Sequence, residues 1–261
     1  MSDLLSTFKK PEERLEDLGL DGLTILQNPQ AFRFNIDSVL LAWYASGAVH
    51  MRTKTADLGT GTGVLPLLLY GRTHTGHIDA VEIQKEMADM AARSVAMNRL
   101  ENKIHVFCSD LREEPGRHLT RGAYDVVITN PPYMPKGQGA VNPDRPLAIA
   151  RHEITCTLDD VAAAAQALLK DRGKLFMVHR ADRLVDLCAV LRAHTLEIKR
   201  IRPVQPFPDK PANQVLLAAA KRGKPGAVIE APLSVYSEPG VYSDAINRIY
   251  GTDGPVPKVF R

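Results

Sequence analysis

From Thr55 to Asn130 short β-rich runs alternate with helical stretches: "TADLG", "VLPLLLYGR", "HIDAVE", "QKEMADMAARSVAMNRL", "KIHVFCSD" and "YDVVITN". A chain patterned in this way buries its apolar surface as successive βαβ units, with parallel strands in one sheet and helices on both faces. The helix over Gln84 to Leu100 is predicted to turn Met87, Met90, Ala91, Val95 and Met97 toward the sheet. Downstream, "LDDVAAAAQALLK", "GKLFMVH", "ADRLVDLCAVLRAH", "LEIKRIRPV" and "NQVLLAAAKR" predict helix, strand, helix, strand and strand. The last two strands are expected to form an antiparallel hairpin at a sheet edge.

Before Thr55, "GLTILQNPQAFRFN" reads as a small β-ribbon turning at "NPQ", followed by the helix "DSVLLAWYASG" with Asp37 as its N-cap. Residues 1–50 are therefore expected to form an N-terminal appendage to a domain over 51–261, within 261 residues that are 44% hydrophobic. The apolar "AWYASGAV" suits either the core or a dimer interface, which leaves monomer and homodimer both open. No run of 18 apolar residues and no leader-like beginning stand in the sequence, so a cytoplasmic protein with no membrane contact is expected. Cys108, Cys156 and Cys188 lack metal-ligand spacing, so no metal is expected and the thiols are predicted to be buried and free.

The segment "ADLGTGTGVLPLLL" combines an acidic strand end, a turn with Gly59, Thr60, Gly61 and Gly63, and a helix start. Glycine admits positive φ and close ligand approach, and the helix start offers free N–H groups. A dinucleotide site would place its third glycine where Val64 stands, and Asp57 would repel a pyrophosphate. A cofactor with a cationic amine and no phosphate meets both constraints, and S-adenosylmethionine is such a molecule. Glu82 ends the next strand, where a carboxylate accepts from ribose hydroxyls, and Asp110 ends the third, within reach of an adenine amino group. Ile83 and Leu111, directly after these carboxylates, join the candidate cofactor set.

Asn130 falls at the end of the fourth strand, on the same sheet edge, and opens the corner "NPPY". A conjugated amine is a poor nucleophile because its lone pair is delocalised. The Asn130 side-chain oxygen and the Pro131 carbonyl can each accept one of its N–H groups, with Pro131 and Pro132 stiffening the backbone between them. Tyr133 offers a flat face for stacking a base.

"DLGTGTG" with "NPPY" resembles the amino-methyltransferases of the class I, Rossmann-like S-adenosylmethionine-dependent superfamily. That resemblance implies a central, mostly parallel seven-stranded α/β sheet with an antiparallel edge hairpin. It also implies S-adenosylmethionine as cofactor and S-adenosylhomocysteine as product. The flanking "FRFNIDSVLLAWYA", "ARHEITCTLDDV", "IKRIRPVQPF" and "PLSVYSEPGVYSDAINRIYG" are similar to the bacterial tRNA-valine adenine-N6 methyltransferase family. The implied acceptor is the N6 amine of the adenosine beside the anticodon of a valine tRNA. Guanine N2 in ribosomal RNA and a release-factor glutamine are the alternatives. In similar enzymes the segment before the first strand covers the methionine end of the cofactor, which makes Phe34 and Asp37 cofactor candidates and Arg33 a substrate candidate.

The net charge of +3 is only mildly basic, but Arg192, Lys199, Arg200, Arg202, Lys210, Lys221, Arg222 and Lys224 cluster in one span. Arg200 and Arg202 are candidate phosphate contacts, with a solvated face as the alternative. The glycine- and proline-rich "MPKGQGAVNPDRPLAIARHE" is suited to close over a target base, with Lys136 and Arg151 as further substrate candidates and His152 and Glu153 beside them. An anticodon loop is a physically cheap target because its bases are already unpaired.

Overall fold

Period-two alternation runs through the central strands of the computed structural model, which describes residues 7–29, 36–131 and 156–251. In chain order, β1 (Arg14–Asp17) and β2 (Thr24–Gln27) precede α1 (Ile36–Ser46), β3 (Lys54–Leu58), α2 (Val64–Thr73), β4 (His77–Glu82), α3 (Lys85–Met97), β5 (Ile104–Cys108) and β6 (Tyr124–Thr129). Then come α4 (Leu158–Leu168), β7 (Leu169–Arg180), α5 (Leu184–Ala193), β8 (Leu196–Gln205) and β9 (Gln214–Lys221). The short strands β10 (Val228–Ile229), β11 (Leu233–Ser234), β12 (Tyr236–Glu238) and β13 (Val241–Tyr242) lead to α6 (Asp244–Tyr250).

Seven strands lie in the order β8-β9-β7-β6-β3-β4-β5, and all are parallel except β9, which runs against both β7 and β8. The expected antiparallel edge is therefore present. The two-residue strands β10 and β11 add to the outer side of β8 and bring the sheet to nine strands.

Val126, Ile128, Phe176, Val178, Leu216 and Ala218 pack under α1 and α2, whereas Val127, Leu175, Met177, Val215 and Leu217 pack under α4 and α5. Alternate residues of β6, β7 and β9 thus feed two separate cores, as a pleated strand covered on both faces requires. The apolar stretch of α1 belongs to the first core: Ala42, Trp43, Tyr44, Ala45 and Val49 are all buried within this chain. Its apolarity needs no dimer interface to account for it.

β2 pairs with the residues before it, through the turn at 18–23, while residues 30–35, the far arm of the expected ribbon, lie outside the described residues. Three local expectations change. Asp37 lies inside the first turn of α1 rather than capping it. Met87 is only half-buried on α3, where Ala88 and Ser94 join Met90, Ala91, Val95 and Met97 on the buried side. Cys108 is exposed, because β5 is the outermost strand of the sheet and Cys108 is its last residue, while Cys156 and Cys188 are half-buried. Among the described residues no helix is long and apolar enough to cross a membrane.

Candidate active site

Asp57 next to the end of β3, Glu82 at the end of β4, Asp110 after β5 and Asn130 after β6 come together at the carboxyl edge of the sheet because their strands are parallel and in register. Alternation explains the direction of Asp57: Ala56 and Leu58 turn into the α4 side, which leaves Asp57 to the α1 side. It is fully buried, and neither of its carboxylate oxygens nor Thr60 Oγ1 has a hydrogen-bond partner among the described residues. Burial pushes its carboxyl up to about 7; the nearby Thr60 hydroxyl opposes that push, and the charge of Glu82 adds to it. Native structures rarely leave a buried carboxylate unmatched. A cationic, hydrogen-bonding ligand group would supply what this one lacks.

The glycine turn is held by backbone bonds from Gly59 and Thr60 to the Val81 carbonyl, both at 2.9 Å. Its glycines serve two different purposes. A Cβ at Gly61, where φ is +58°, would meet nothing within 4 Å, so this position leaves room for a ligand against the backbone. A Cβ at Gly63, φ +86°, would lie 3.1 Å from Ala91 Cβ and 3.3 Å from its Cα, so this glycine lets α2 sit close to α3. Glu82 secures the turn from the other side, accepting from Gly61 N through Oε2 and from Gln84 N through Oε1, each at 2.9 Å. A carboxylate has further lone pairs with which it could accept from hydroxyls of a ligand.

Asp110 accepts from the backbone and guanidinium of Arg112, which holds its carboxyl below the usual carboxylate range. An adenine amino group would have to share this carboxylate with Arg112. Ile83 is exposed and Leu111 half-buried, two apolar side chains beside Glu82 and Asp110 on the flank where a flat ring would lie.

At the corner, the buried Thr129 donates its hydroxyl to the Leu58 carbonyl at 2.8 Å and thereby locks the end of β6 to the end of β3. The Asn130 amide nitrogen faces the Ser38 hydroxyl of α1 at 3.5 Å, which directs the amide oxygen the other way. Pro131 is buried. Arg33, Phe34, Pro132, Tyr133, Lys136, Arg151, His152 and Glu153 lie outside the described residues.

Sequence reasoning missed three supports: Thr129, Ser38 and Gln27. Gln27 on β2 is fully buried, donates to Thr62 of the glycine turn at 2.6 Å and keeps its amide oxygen unpartnered. The polar residue ending the apolar run "TIL" was the available signal for Gln27; nothing local marked Ser38 or Thr129.

The expected phosphate contacts are placed differently. Arg200 is 9% exposed, ion-paired with Glu230 and stacked over the Tyr44 ring at 4.9 Å; Arg202 shares Glu230 and lies over Trp43 at 5.3 Å. Both fasten β8 to α1 and to the segment after β10. Lys221 is buried against the Leu169 carbonyl, Lys199 binds the carbonyls of Lys224 and Gly226, and Arg192, Lys210 and Arg222 each have an acidic neighbour. Arg200 and Lys221 are thus internal braces, whereas Arg192, Lys210, Arg222 and Lys224 stay exposed on the surface.

The family model described as the methyltransferase small domain matches residues 35–186. A Tolumonas auensis protein named tRNA1(Val) (adenine(37)-N6)-methyltransferase is 32% identical over 220 residues, spanning 83% of this chain and 87% of the relative. A Parabacteroides distasonis protein of the same name is 30% identical over 205 residues, spanning 77% and 83%. Among solved structures, a predicted O-methyltransferase from Agrobacterium tumefaciens superposes with a TM-score of 0.65 at 20% identity, covering 84% of this chain and 97% of that one. Trm5 of Methanocaldococcus jannaschii, crystallised with adenosine, gives 0.58 at 14% identity, covering 83% and 57%.

Proposed function

The chain belongs to the methyltransferase small-domain family, within its tRNA1(Val) (adenine(37)-N6)-methyltransferase group, and from that premise we propose how its own residues carry the reaction. It is an S-adenosylmethionine-dependent enzyme that methylates the N6 amine of an adenine in tRNA, with adenosine 37 of a valine tRNA as the target its relatives' name specifies. The observation that carries the cofactor reading is Asp57, a fully buried carboxylate with both oxygens unpartnered beside an open glycine turn.

S-adenosylmethionine supplies an electrophilic methyl group on a sulfonium. Asp57 and Thr60 hold the cationic amine, Glu82 the ribose hydroxyls, and Asp110 the adenine amino group with Ile83 and Leu111 against the ring. Gln27 and the first turn of α1, with Asp37 and Ser38, close the methionine side. Residues 1–50 act in this reading as a cover that completes the domain over 51–261, and the bond from Gln27 to Thr62 supports that role. Asn130 Oδ1 and the Pro131 carbonyl each accept one N–H of the target amine and aim its nitrogen at the methyl group, while Pro132 and Tyr133 continue the corner against the base. The amine sheds its proton only after it has been methylated and made cationic, so no strong base is needed at the start.

Lys136, Arg151, Arg33 and Phe34 remain substrate or cofactor contacts of this proposal on sequence grounds, and the cytoplasm, where tRNA is held, is its proposed location. Tritiated S-adenosylmethionine offered in parallel with unmodified tRNA, ribosomal RNA and release factor tests the acceptor. Label recovered as N6-methyladenosine from tRNA is the expected result; label only as N2-methylguanosine or N5-methylglutamine overturns it.

A further inference from the structure

Two imidazoles and a carboxylate converge at the edge of the sheet opposite the methyl-transfer site, at the amino ends of β4 and β5. Asp79 and His105 are direct ladder partners, and His77 precedes Asp79 by two residues on the same face of β4. His77 Nε2 lies 2.8 Å from Asp79 Oδ2 and His105 Nδ1 lies 3.0 Å from Oδ1, with the ring centroids 5.1 Å apart. The carboxylate forms the floor, its side chain 8% exposed, and the imidazoles open to solvent at 37% and 39%.

We propose that His77, Asp79 and His105 bind one divalent transition-metal ion of the zinc, cobalt or nickel class, independently of methyl transfer. All three potential ligand atoms lie within 4.8 Å of one another. Two imidazole nitrogens and one carboxylate oxygen are the donor set of borderline ions, whereas magnesium and calcium favour oxygen throughout. The 2.8 Å from His77 to Oδ2 and the 3.0 Å from His105 to Oδ1 set one carboxylate oxygen beside each imidazole nitrogen, so a bound ion would take the place of these two hydrogen bonds. Binding uses the neutral tautomers that carry the proton on His77 Nδ1 and His105 Nε2, with water in the remaining positions.

The carboxylate is already oriented. Tyr124 donates to Asp79 Oδ2 at 2.6 Å, the kind of outer hydrogen bond that fixes a ligating carboxylate. Lys54 opposes the ion: its ammonium is 3.7 Å from Asp79 Oδ2, above the Tyr124 ring. That opposition separates a metal site from a plain hydrogen-bonded triad, because removing Lys54 strengthens the first and leaves the second with nothing to bind.

The test is calorimetric titration of the full chain with zinc chloride alone, in a Cys108→Ser background because Cys108 is an exposed thiol that competes for zinc. One ion per chain is expected. His105→Ala should weaken binding by at least about 10-fold, Lys54→Met should tighten it severalfold, and zinc should raise the Tm of the parent but not of His105→Ala. His77→Gln serves as a second ligand variant should His105→Ala fail to fold. Absence of binding up to about 1 mM zinc, or binding unchanged by His105→Ala and His77→Gln, overturns the proposal.

Discussion

Replacing Asp57 by Asn should stabilise the cofactor-free protein while destroying its ability to bind cofactor. In the unfolded chain this carboxyl loses its proton near the ordinary 3.8, whereas in the fold burial delays the loss to about 7. The folded state therefore holds the extra proton between those values, and stability declines as pH rises from about 4 to about 7 and is level above. The interval spans about three pH decades, each worth about 1.4 kcal/mol, so the ionised side chain costs on the order of 4 kcal/mol at pH 8. An amide in the same place and the protonated acid are both neutral and unpartnered, so their burial costs cancel, leaving a net gain on the order of 4 kcal/mol at pH 8 and about none at pH 4. Urea unfolding of both proteins without cofactor, at pH 8 and again at pH 4, reads the difference. The variant should be the more stable only at the higher pH, and S-adenosylmethionine should bind to it far more weakly than to the parent. A variant that is less stable at pH 8, or whose offset is the same at both pH values, would refute the reasoning from burial.

Affinity of the parent for S-adenosylmethionine should fall as pH drops below about 7, because Asp57 must be ionised to hold the amine; equilibrium binding across pH 5.5–8.5 checks this. Asn130→Ala should keep cofactor affinity and lose about 10²–10³ in kcat, as paired binding and single-turnover measurements would reveal. Gly63→Ala should cost about 1–3 kcal/mol of stability through strain and collision with Ala91, whereas Gly61→Ala should act on cofactor affinity first; thermal unfolding beside cofactor binding separates the two. Arg200→Ala should destabilise the fold by about 3 kcal/mol and leave the tRNA affinity of the folded fraction unchanged in a filter-binding assay.

The parallel sheet was legible because alternation of apolar runs is a local signal, and parallel strands then bring their carboxyl ends to one edge whatever the loops do. That is why Asp57, Glu82, Asp110 and Asn130 could be grouped from spacing alone. The supports of the site were not legible in the same way. Ser38 reaches Asn130, and Thr129 reaches Leu58, only after 92 and 71 residues of chain have folded back, and no sequence window contains both partners. Charge misled for a related reason. Arg200 and Lys221 resemble surface cations until their strand partners are known; once β8 and β9 are paired, alternation turns both inward, toward Glu230 and the Leu169 carbonyl. The strand "TILQ" was legible, but its partner "RLED" carries one apolar residue and gave no strand signal.

The central claim is that the corner at Asn130 delivers a methyl group to N6 of one adenine in a tRNA. Its most direct test compares two unmodified transcripts of the same valine tRNA, one with adenosine at position 37 and one with guanosine there, each incubated with enzyme and labelled S-adenosylmethionine and digested to nucleosides. N6-methyladenosine from the first transcript and no label in the second is the predicted result. Equal labelling of both transcripts, or label in a nucleoside other than N6-methyladenosine, would contradict the account.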